Sequence, residues 1–277
     1  MQKLFKLIIP VLGLAFIVGS CQKDRSVDLA SEVVPQNIID QIARMGFNPD
    51  GIERVEEGYR IERDIIITEE FLSENPTRHI VPNQEQYSTN NLVSTNGSRV
   101  ITMYAPEGGR NGYSAGMIAG LDLAIARYNS ENLEISFQRV TSSGGADISM
   151  TRLSKRDERR GVLGSAGFPT ASGDPYGQIK MSGILESTYG LSTGGIATII
   201  AHEMGHCIGF RHTDWFDRSI SCGGSTSNEG TAGVGANHIP GTPTGATLSA
   251  KSWMLACTDG GNRPFNNDDQ TALDYLY

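Results

Sequence analysis

The chain has no hydrophobic run long enough to cross a membrane. Its longest apolar stretch, LIIPVLGLAFIV at residues 7–18, falls short of the about 20 apolar residues that a transmembrane helix requires. Lys3 and Lys6 precede this stretch and a pair of small residues follows it at positions 19–20, which is the layout of a secretory signal peptide. We therefore expect residues 1–20 to be an export signal rather than a membrane anchor.

Basic residues are too few to balance the acidic ones, at 23 against 31, and the formal net charge is −8. Lys3 and Lys6 belong to the expected signal, so its removal leaves 21 basic against 31 acidic residues, or −10. A protein this acidic repels the phosphates of nucleic acids. We therefore expect no nucleic-acid partner.

Cysteine is scarce, with four residues in the chain. The first, Cys21, follows the residues VGS in an arrangement that resembles the lipobox of bacterial lipoproteins. This resemblance implies that the signal is cut before Cys21 and that its thiol is acylated, so that the lipid holds the protein at an outer membrane or cell surface. An ordinary signal peptide followed by a chance cysteine is the alternative.

Three cysteines remain for disulfides, Cys207, Cys222 and Cys257. An exported protein reaches an oxidising compartment, where disulfides persist. Three residues allow one bridge and one free thiol, in three different pairings. Cys222 and Cys257 lie in loop-like sequence where two backbones can approach each other, which favours their pairing and leaves Cys207 for the core.

Before residue 98 the sequence is charged and then rich in Asn, Ser, Thr and Pro. The run YRIERDIIITEEFL predicts a strand, and the polar stretch at residues 75–98 predicts a linker that ends at a domain boundary near Ser98. We expect residues 21–97 to be either a stalk with an accessory subdomain or a pro-segment that keeps a catalytic domain latent. No residue in them stands out as a metal-blocking group, which favours the stalk.

Residues 98–277 alternate between strand and helix patterns and are long enough for one sizeable domain. They predict a strand, a helix with Met117, Leu121 and Tyr128 on its apolar side, three further strands and a second helix. This order predicts an α+β fold with a mixed sheet. The charged run RLSKRDERR predicts a solvated loop, and residues 219–249 predict a loop whose length is uncommon unless it is functional.

Histidine is also scarce, with five residues, yet three of them fall in the stretch HEMGHCIGFRH. On a helix, His202 and His206 are one turn apart and project from the same face. Gly209 can adopt a positive φ and turn the chain sharply, so that His212 meets the same ion. Zinc (Zn2+) takes such nitrogen ligands, and three protein ligands leave a fourth position for water, as in catalytic sites.

Glu203 follows the first of these histidines and is poorly placed to be a ligand itself. Zinc lowers the pKa of a bound water to about 7, and a neighbouring carboxylate can take the proton of that water and return it to a leaving amine. Peptide hydrolysis is the reaction that a zinc-bound water and a neighbouring carboxylate favour most. Histidines that merely fill core positions are the alternative, which is weak because all five fixed positions of HExxHxxGxxH are met. His79 and His238 are expected to be ordinary linker or loop histidines.

The stretch resembles the extended motif of the metzincin clan of zinc endopeptidases, in which a methionine turn follows the third histidine. Met254, in the sequence KSWMLAC, matches that methionine, which forms an apolar floor beneath the imidazoles of clan members. GADISMT, around Ile148, is similar to the clan's edge strand, which pairs with extended substrate. The segment HEMGHCIGFRHTDW, together with HIPGTP further along the chain, is most similar to the bacterial protease B family, the dual-action HEIGH metallopeptidases.

The resemblance implies a metzincin-like zincin fold with a mixed twisted sheet, an active-site helix and a small C-terminal subdomain that contains the methionine turn and a final helix. The zinc ligands that it implies are His202, His206 and His212, with Glu203 as the general base. Two features depart from the clan. Ala256 stands where astacin-like members carry a metal-capping tyrosine, and the segment before residue 98 has no cysteine besides Cys21 that could act as a matrixin-style cysteine switch.

We therefore expect an exported, lipid-anchored zinc endopeptidase that acts as a monomer on extracellular or cell-surface proteins and peptides. Its substrate pocket is expected to have a wall before the methionine turn, at residues 236–252, whose small and apolar residues predict tolerance of an apolar side chain. The alternative is a zinc-containing surface adhesin or binding protein of the same fold that has lost turnover. The intact Glu203 argues against that alternative.

Overall fold

The computed structural model describes residues 33–45, 47–74, 86–109, 111–230, 235–243, 245–246 and 250–277. The expected signal peptide, Cys21 and His79 lie outside these residues. Within them, no helix combines the length and the apolar character that crossing a membrane requires.

The described residues form short helices and strands in the following order along the chain. The helices are α1 (Gln36–Met45), α2 (Glu69–Glu74), α3 (Ala115–Asn129), α4 (Lys155–Arg159), α5 (Thr193–Ile208), α6 (Ser219–Cys222) and α7 (Asn267–Leu276). The strands are β1 (Glu53–Val55), β2 (Gly58–Ile61), β3 (Ile65–Ile67), β4 (Tyr87–Ser88), β5 (Arg99–Tyr104), β6 (Ile135–Val140), β7 (Ile148–Arg152), β8 (Gly164–Ser165), β9 (Gln178–Met181) and β10 (Asn237–His238).

The central sheet has the strand order β6-β5-β7-β9-β8. The first four of these strands run parallel, whereas β8 pairs with β9 in the antiparallel direction, with Gly164 opposite Met181. The helix α3 connects β5 to β6, as a parallel pair requires, because its strands cannot be joined by a tight turn. The predicted α+β fold with a mixed sheet is confirmed.

The strand predicted to form the substrate-pairing edge lies inside the sheet. β7 pairs with β5 through Met103 and Ile148, and with β9 on its other side. The prediction was wrong because the two-residue strand β8 forms the edge instead. A strand this short leaves no periodic pattern in the sequence.

The helices α3 and α5 pack against the sheet and against each other. A Cβ atom on Gly120 of α3 would lie 2.4 Å from Cγ2 of Ile196 in α5, so the missing side chain permits the close approach. Tyr128 adds a hydrogen bond from its hydroxyl to the carbonyl of Ala201, at 2.8 Å. The predicted apolar side of α3 is buried at Met117, Ile118, Leu121, Ala124, Ile125 and Tyr128.

Residues 33–74 form a small unit that packs against this core. β1, β2 and β3 make an antiparallel sheet, with β2 in the middle. Ile42 of α1 and Ile65 of β3 belong to its buried apolar cluster, and so does Phe168, from the loop that follows β8. The N-terminal unit therefore shares an apolar core with the segment that follows the edge strand.

The charged run RLSKRDERR forms α4 where a solvated loop was predicted. Ser154 caps the start of this helix by accepting a hydrogen bond from the N–H of Asp157. Glu158 is buried and its Oε1 accepts hydrogen bonds from Arg152, at 2.9 Å, and from the N–H of Gly183, at 2.7 Å. The predicted loop was wrong, because residues 155–159 form a helix. The predicted solvation holds for Lys155, Arg156, Arg159 and Arg160, which are exposed, but not for Glu158.

The last helix, α7, lies where a C-terminal helix was predicted. Asn266 caps its start in a capping box with Asp269. The hydroxyl of Tyr277 donates to the carbonyl of Ile208 and accepts a hydrogen bond from the N–H of Val93, at 3.2 Å. The C-terminus of the chain therefore supports the end of α5.

Candidate metal centre

The helix α5 positions two of the three clustered histidines. Ser192 caps its start by accepting a hydrogen bond from the N–H of Gly195. The helix is buried from Gly195 onward, so its histidines lie in the interior rather than in solvent. His202 and His206 are separated by one turn and face the same side, with ring centroids 4.7 Å apart.

A tight turn after α5 brings the third histidine back to the first two. Gly209 ends the helix with a φ of 108°, and a Cβ atom there would lie 2.9 Å from the carbonyl oxygen of Asn91. Both the positive φ and the close approach require glycine. The N–H of Arg211 then donates to the carbonyl of Tyr87, at 2.9 Å, which fixes the chain just before His212. The predicted turn at Gly209 is confirmed.

The three imidazoles and one carboxylate converge on a common point. His206 and His212 have ring centroids 4.8 Å apart, and His202 and His212 have centroids 5.2 Å apart. The Oδ2 atom of Asp64, in the loop between β2 and β3, lies 3.3 Å from Nε2 of His212 and 3.9 Å from Nε2 of His202. One ligand atom from each of these four residues lies within 4.8 Å of every other.

Each imidazole is held through its Nδ1 atom. Trp253 accepts a hydrogen bond from His202 with its carbonyl, and Phe210 accepts one from His206, both at 2.9 Å. Glu229 accepts a hydrogen bond from His212 with its Oε1, at 2.8 Å. Such acceptors assign the proton to Nδ1 and leave the lone pair of Nε2 for a metal ion.

The spacing of the nitrogens fits a shared zinc ion. The Nε2 atoms of His206 and His212 lie 3.2 Å apart, and two nitrogens that share one tetrahedral zinc at about 2.0–2.1 Å lie about 3.3–3.4 Å apart. In neutral imidazoles these two lone pairs face each other, an arrangement that a shared cation stabilises. Nε2 of His202 and Oδ1 of Asp64 are buried and have no hydrogen-bond partner in the described part of the chain.

Burial and nearby carboxylates shift the pKa values of the histidines in opposite directions. Burial lowers the pKa of His202 to about 4 and that of His206 well below its ordinary value, so both are neutral at neutral pH, the form that binds a metal. Burial also disfavours a charge on His212, but Glu229 and Asp64 outweigh it and raise its pKa well above the ordinary value. A metal ion bound at this cluster would therefore compete with one proton at His212.

Sequence reasoning missed Glu229. It lies in the long loop that follows α6, and its N–H donates to the carbonyl of Trp215, at 2.7 Å. Its carboxylate is fully buried and lies 3.3 Å from the guanidinium of Arg218. Only the unusual length of the loop at residues 219–249 indicated a functional residue there, and the pattern did not say which one.

Glu203 lies beside the imidazoles, against the edge strand. A Cβ atom on Gly164 of β8 would lie 2.3 Å from its Oε1. Its Oε2 is buried and has no hydrogen-bond partner among the described residues. Burial, together with the nearby Asp64, raises the pKa of Glu203 well above its ordinary value. A carboxyl group held in this way is suited to exchange protons with a molecule beside it.

A cavity of about 240 Å³ opens beside His202 and Glu203. It is lined, among others, by Leu163, Thr198, Ile199, Trp253, Leu255 and Ala256. Its wall comes from residues 255–258, and no described residue of the predicted wall at residues 236–252 lines it. The wall stays a prediction, because residues 244 and 247–249 lie outside the described part of the chain. The chain after the methionine turn returns along α5, where the N–H of Arg263 donates to Oγ1 of Thr198, at 2.8 Å.

Met254 lies beneath α5, close to the histidines. A Cβ atom on Gly205 would lie 2.5 Å from its sulfur, so the methionine packs directly on the helix backbone between His202 and His206. Its carbonyl accepts a hydrogen bond from the N–H of Thr213, at 2.8 Å, directly after His212. The turn around Met254 therefore touches the backbone that carries the histidines.

The cysteines pair in the way that their loop-like surroundings favoured. Cys222 and Cys257 form a disulfide, with Cα atoms 5.1 Å apart, and Cys207 is free and buried. The disulfide joins α6 to the wall of the cavity. His238 lies on β10, with its Nε2 near Thr242, and is not a member of the four-residue cluster.

A family model described as dual-action HEIGH metallo-peptidase matches residues 59–277. Among solved structures, one of myroilysin has 16% sequence identity and a TM-score of 0.39, with 66% of this chain and 95% of that chain covered. A second myroilysin structure has 15% identity and a TM-score of 0.37, with 86% and 94% covered. The GM1-bound form of the ECX AB5 holotoxin has 16% identity and a TM-score of 0.34, with 70% and 80% covered. No curated protein matches the chain.

Proposed function

The chain belongs to the dual-action HEIGH metallopeptidase family, and we propose that its active site is the cluster formed by His202, His206 and His212. It is a zinc metallopeptidase, and the proposal concerns which of its residues hold the ion and carry out the hydrolysis. The observation that carries it is that all three Nδ1 atoms are bound to acceptors, so that all three Nε2 atoms are left for one ion. Since one chain supplies all three histidines, we propose that the protein acts as a monomer.

Zinc bound by three imidazoles supplies a Lewis acid for the scissile carbonyl and lowers the pKa of the attacking water. Glu203 acts as the general base that accepts the proton of this water, and then as the acid that returns it to the leaving nitrogen. Its raised pKa suits the first step, because a raised pKa makes the carboxylate a stronger base toward the water.

An extended substrate binds along the edge strand β8. Backbone hydrogen bonds to a sheet edge are largely independent of sequence, so they suit the general hydrolysis of proteins and peptides. The scissile bond then lies beside Glu203, because Gly164 of this strand contacts that carboxylate. The side chain after the scissile bond enters the neighbouring cavity, where Leu163, Ile199 and Leu255 favour an apolar group.

The protein is exported and anchored by a lipid on Cys21, at an outer membrane or cell surface. The lipobox-like sequence before Cys21 supports this location, and the disulfide between Cys222 and Cys257 is typical of an oxidising compartment. Mass spectrometry of the mature N-terminus tests it, with an acylated Cys21 as the expected result. Retention of residues 1–20 in the mature protein would contradict it.

The hydrolysis is tested by comparing wild type with Glu203→Gln, which keeps the size of the side chain and removes its charge. Zinc content and cleavage of casein are measured for each, with and without a chelator. Glu70→Gln on α2 is the matched control, since Glu70 is exposed and does not belong to the four-residue cluster. Because the carboxylate of Asp64 lies in the cluster, each comparison is repeated in an Asp64→Ala background.

We expect one zinc per chain in all of these proteins when no chelator is present. In the Asp64→Ala background we expect casein cleavage that the chelator and Glu203→Gln abolish but Glu70→Gln does not. Zinc bound with no more turnover than Glu203→Gln, in both backgrounds, would instead favour the surface adhesin or binding protein. If a His202→Ala variant binds no zinc but cleaves casein as wild type does, the active site lies elsewhere.

A further inference from the structure

We propose that Asp64 is a fourth protein ligand of the zinc ion and that the hairpin at residues 58–67, which carries it, keeps the enzyme latent. This inference rests on the proposed function, since it takes the three histidines as the other ligands. In this arrangement the carboxylate of Asp64 takes the coordination position that a water molecule holds in an active enzyme. The N-terminal unit is then a pro-segment rather than a stalk.

The carboxylate of Asp64 has the position of a ligand. Its Oδ2 lies 3.3 Å from Nε2 of His212 and 3.9 Å from Nε2 of His202, which is close to the about 3.3–3.6 Å between neighbouring ligand atoms of a tetrahedral zinc. Its Oδ1 is buried with no hydrogen-bond partner among the described residues. A carboxylate with one unpartnered buried oxygen beside three imidazoles is suited to bind a metal ion, because burial of a polar atom without a partner is otherwise costly.

The backbone that presents Asp64 is strained in a way that aims it at the cluster. β2 and β3 are joined by three residues, and two of them, Glu62 and Arg63, have positive φ values of 53° and 83°. Non-glycine residues are unfavourable in this region and persist where surrounding contacts impose them. The Arg218 guanidinium imposes part of this geometry by donating to the carbonyl of Glu62, at 2.8 Å.

The same hairpin occupies the continuation of the edge strand. The N–H of Ile66 donates to the carbonyl of Ala166, at 2.9 Å, and the N–H of Ala166 donates to the carbonyl of Asp64, at 3.0 Å. Ile65 and Ala166 form a parallel bridge directly after β8. A substrate strand that extends along this edge needs the same backbone groups, so hairpin and substrate exclude each other.

Side-chain contacts hold the N-terminal unit in this position. Arg60 of β2 is buried and pairs with Asp157 of α4, at 2.8 Å, and Lys180 of β9 pairs with Glu57. Phe168 packs into the apolar cluster of the N-terminal unit. These contacts tie the hairpin to the sheet, so the ligand atom of Asp64 is delivered by a fixed element rather than by a loose chain end.

Latency follows from two blocks that act together. Asp64 occupies the coordination position that an attacking water requires, and β3 occupies the edge that a substrate requires. Removal of the chain up to residue 67 lifts both blocks at once, and it leaves β5 to β9, α5 and the three histidines in place.

Binding of acetohydroxamate, a small chelator of active-site metals, tests the proposal on the full chain. It is measured by calorimetry on the zinc protein and from the visible absorption of the cobalt-substituted protein. Wild type is compared with Asp64→Ala and with Asp50→Ala, an exposed residue of the same unit that serves as the matched control. Metal content and circular dichroism verify that each protein is loaded and folded.

We expect Asp64→Ala to bind acetohydroxamate at least about tenfold more tightly than wild type, because a ligand's apparent affinity falls in proportion to the fraction of molecules that are open. Its cobalt spectrum also changes, while Asp50→Ala behaves as wild type in both measurements. Equal affinities and identical cobalt spectra of wild type and Asp64→Ala, with one metal bound to each, would overturn the proposal and leave the proposed function intact. Loss of bound metal from wild type would instead contradict the proposed function.

Arg60→Gln provides a second variant that leaves the metal cluster untouched. It breaks the ion pair with Asp157 that holds β2 against α4, so we expect it to bind acetohydroxamate more tightly than wild type does. Because Asp64 is still present, the cobalt spectrum at low chelator concentration should be the same as that of wild type. If Arg60→Gln is folded and binds the chelator no better than wild type, while Asp64→Ala also shows no gain, the hairpin does not gate the metal.

Discussion

His212 donates its Nδ1–H to Oε1 of Glu229, at 2.8 Å, and both side chains are fully buried. The two residues are separated by 17 positions in the chain. A carboxylate in this place fixes the tautomer of the imidazole and increases the basicity of its other nitrogen. We therefore expect Glu229 to control how strongly His212 binds an ion.

Glu229→Gln should weaken zinc binding by about 10–100-fold, the usual effect of losing such a carboxylate partner. The amide keeps a hydrogen-bond acceptor but loses the charge that favours metal binding at His212. Zinc affinity is measured by competition with a chromophoric chelator, with Glu70→Gln as the control. An affinity equal to that of wild type would show that Glu229 serves only the packing of the loop.

The sequence predicted the part of the site that lies within eleven consecutive residues. His202 and His206 share a face through helical spacing alone, and Gly209 is interpretable because positive φ is a property of glycine itself. The remaining parts depend on contacts between distant segments. Asp64, in the hairpin between β2 and β3, and Glu229, in the loop after α6, both contact His212. No local sequence pattern marks either residue.

The same limit explains the errors in the fold. The run around Ile148 has the composition of a strand, but whether a strand lies inside a sheet or at its edge depends on what pairs with it. β8 has two residues and is recognisable only through its pairing with β9. Likewise, Glu158 pairs with Arg152 and is buried, although the sequence pattern places its charge in solvent.

Gly164→Ala should reduce turnover without reducing bound zinc. The added Cβ atom would lie 2.3 Å from Oε1 of Glu203, so the carboxylate must move aside. A displacement of about 1 Å at a catalytic group can cost about 100-fold in rate. Gly177→Ala is the matched control, because its Cβ would meet its nearest neighbour at an ordinary 3.5 Å. Peptide cleavage is measured in the Asp64→Ala background, and equal rates for both variants would contradict the placement of Glu203.

Replacing Cys222 and Cys257 by serine should lower the stability of the protein. The disulfide closes a loop with a sequence separation of 35, for which the loss of chain entropy corresponds to about 4 kcal/mol. In a chain of this size this amounts to a fall of about 8–16 °C in melting temperature. Scanning calorimetry with and without reductant measures it, and a double variant that melts with wild type would show that the loop is held by other contacts.

Asp269 should make the protein less stable as the pH rises from about 4 to about 7. Burial raises the pKa of Asp269 to about 7 and outweighs the hydrogen bonds that it accepts from Asn266, Ser252 and other groups. The unfolded chain releases this proton near pH 3.9, so the folded protein holds more protons between these values and loses stability as they dissociate. The difference of about 3 pKa units corresponds to about 4 kcal/mol.

Asp269→Asn removes this titration and keeps one hydrogen-bond acceptor for the side chain of Gln86. Urea unfolding of the zinc-saturated proteins at pH 5 and pH 8 gives the free energy of unfolding at each pH. We expect the free energy of unfolding of Asp269→Asn, relative to that of wild type, to be several kcal/mol higher at pH 8 than at pH 5. The reason is that only wild type must keep a buried carboxylate at pH 8. The comparison cancels the titration of the clustered histidines, since both proteins contain them. A constant difference between wild type and variant at both pH values would mean that Asp269 is already ionised at pH 5, stabilised by the N–H groups of Asn266 and Trp253.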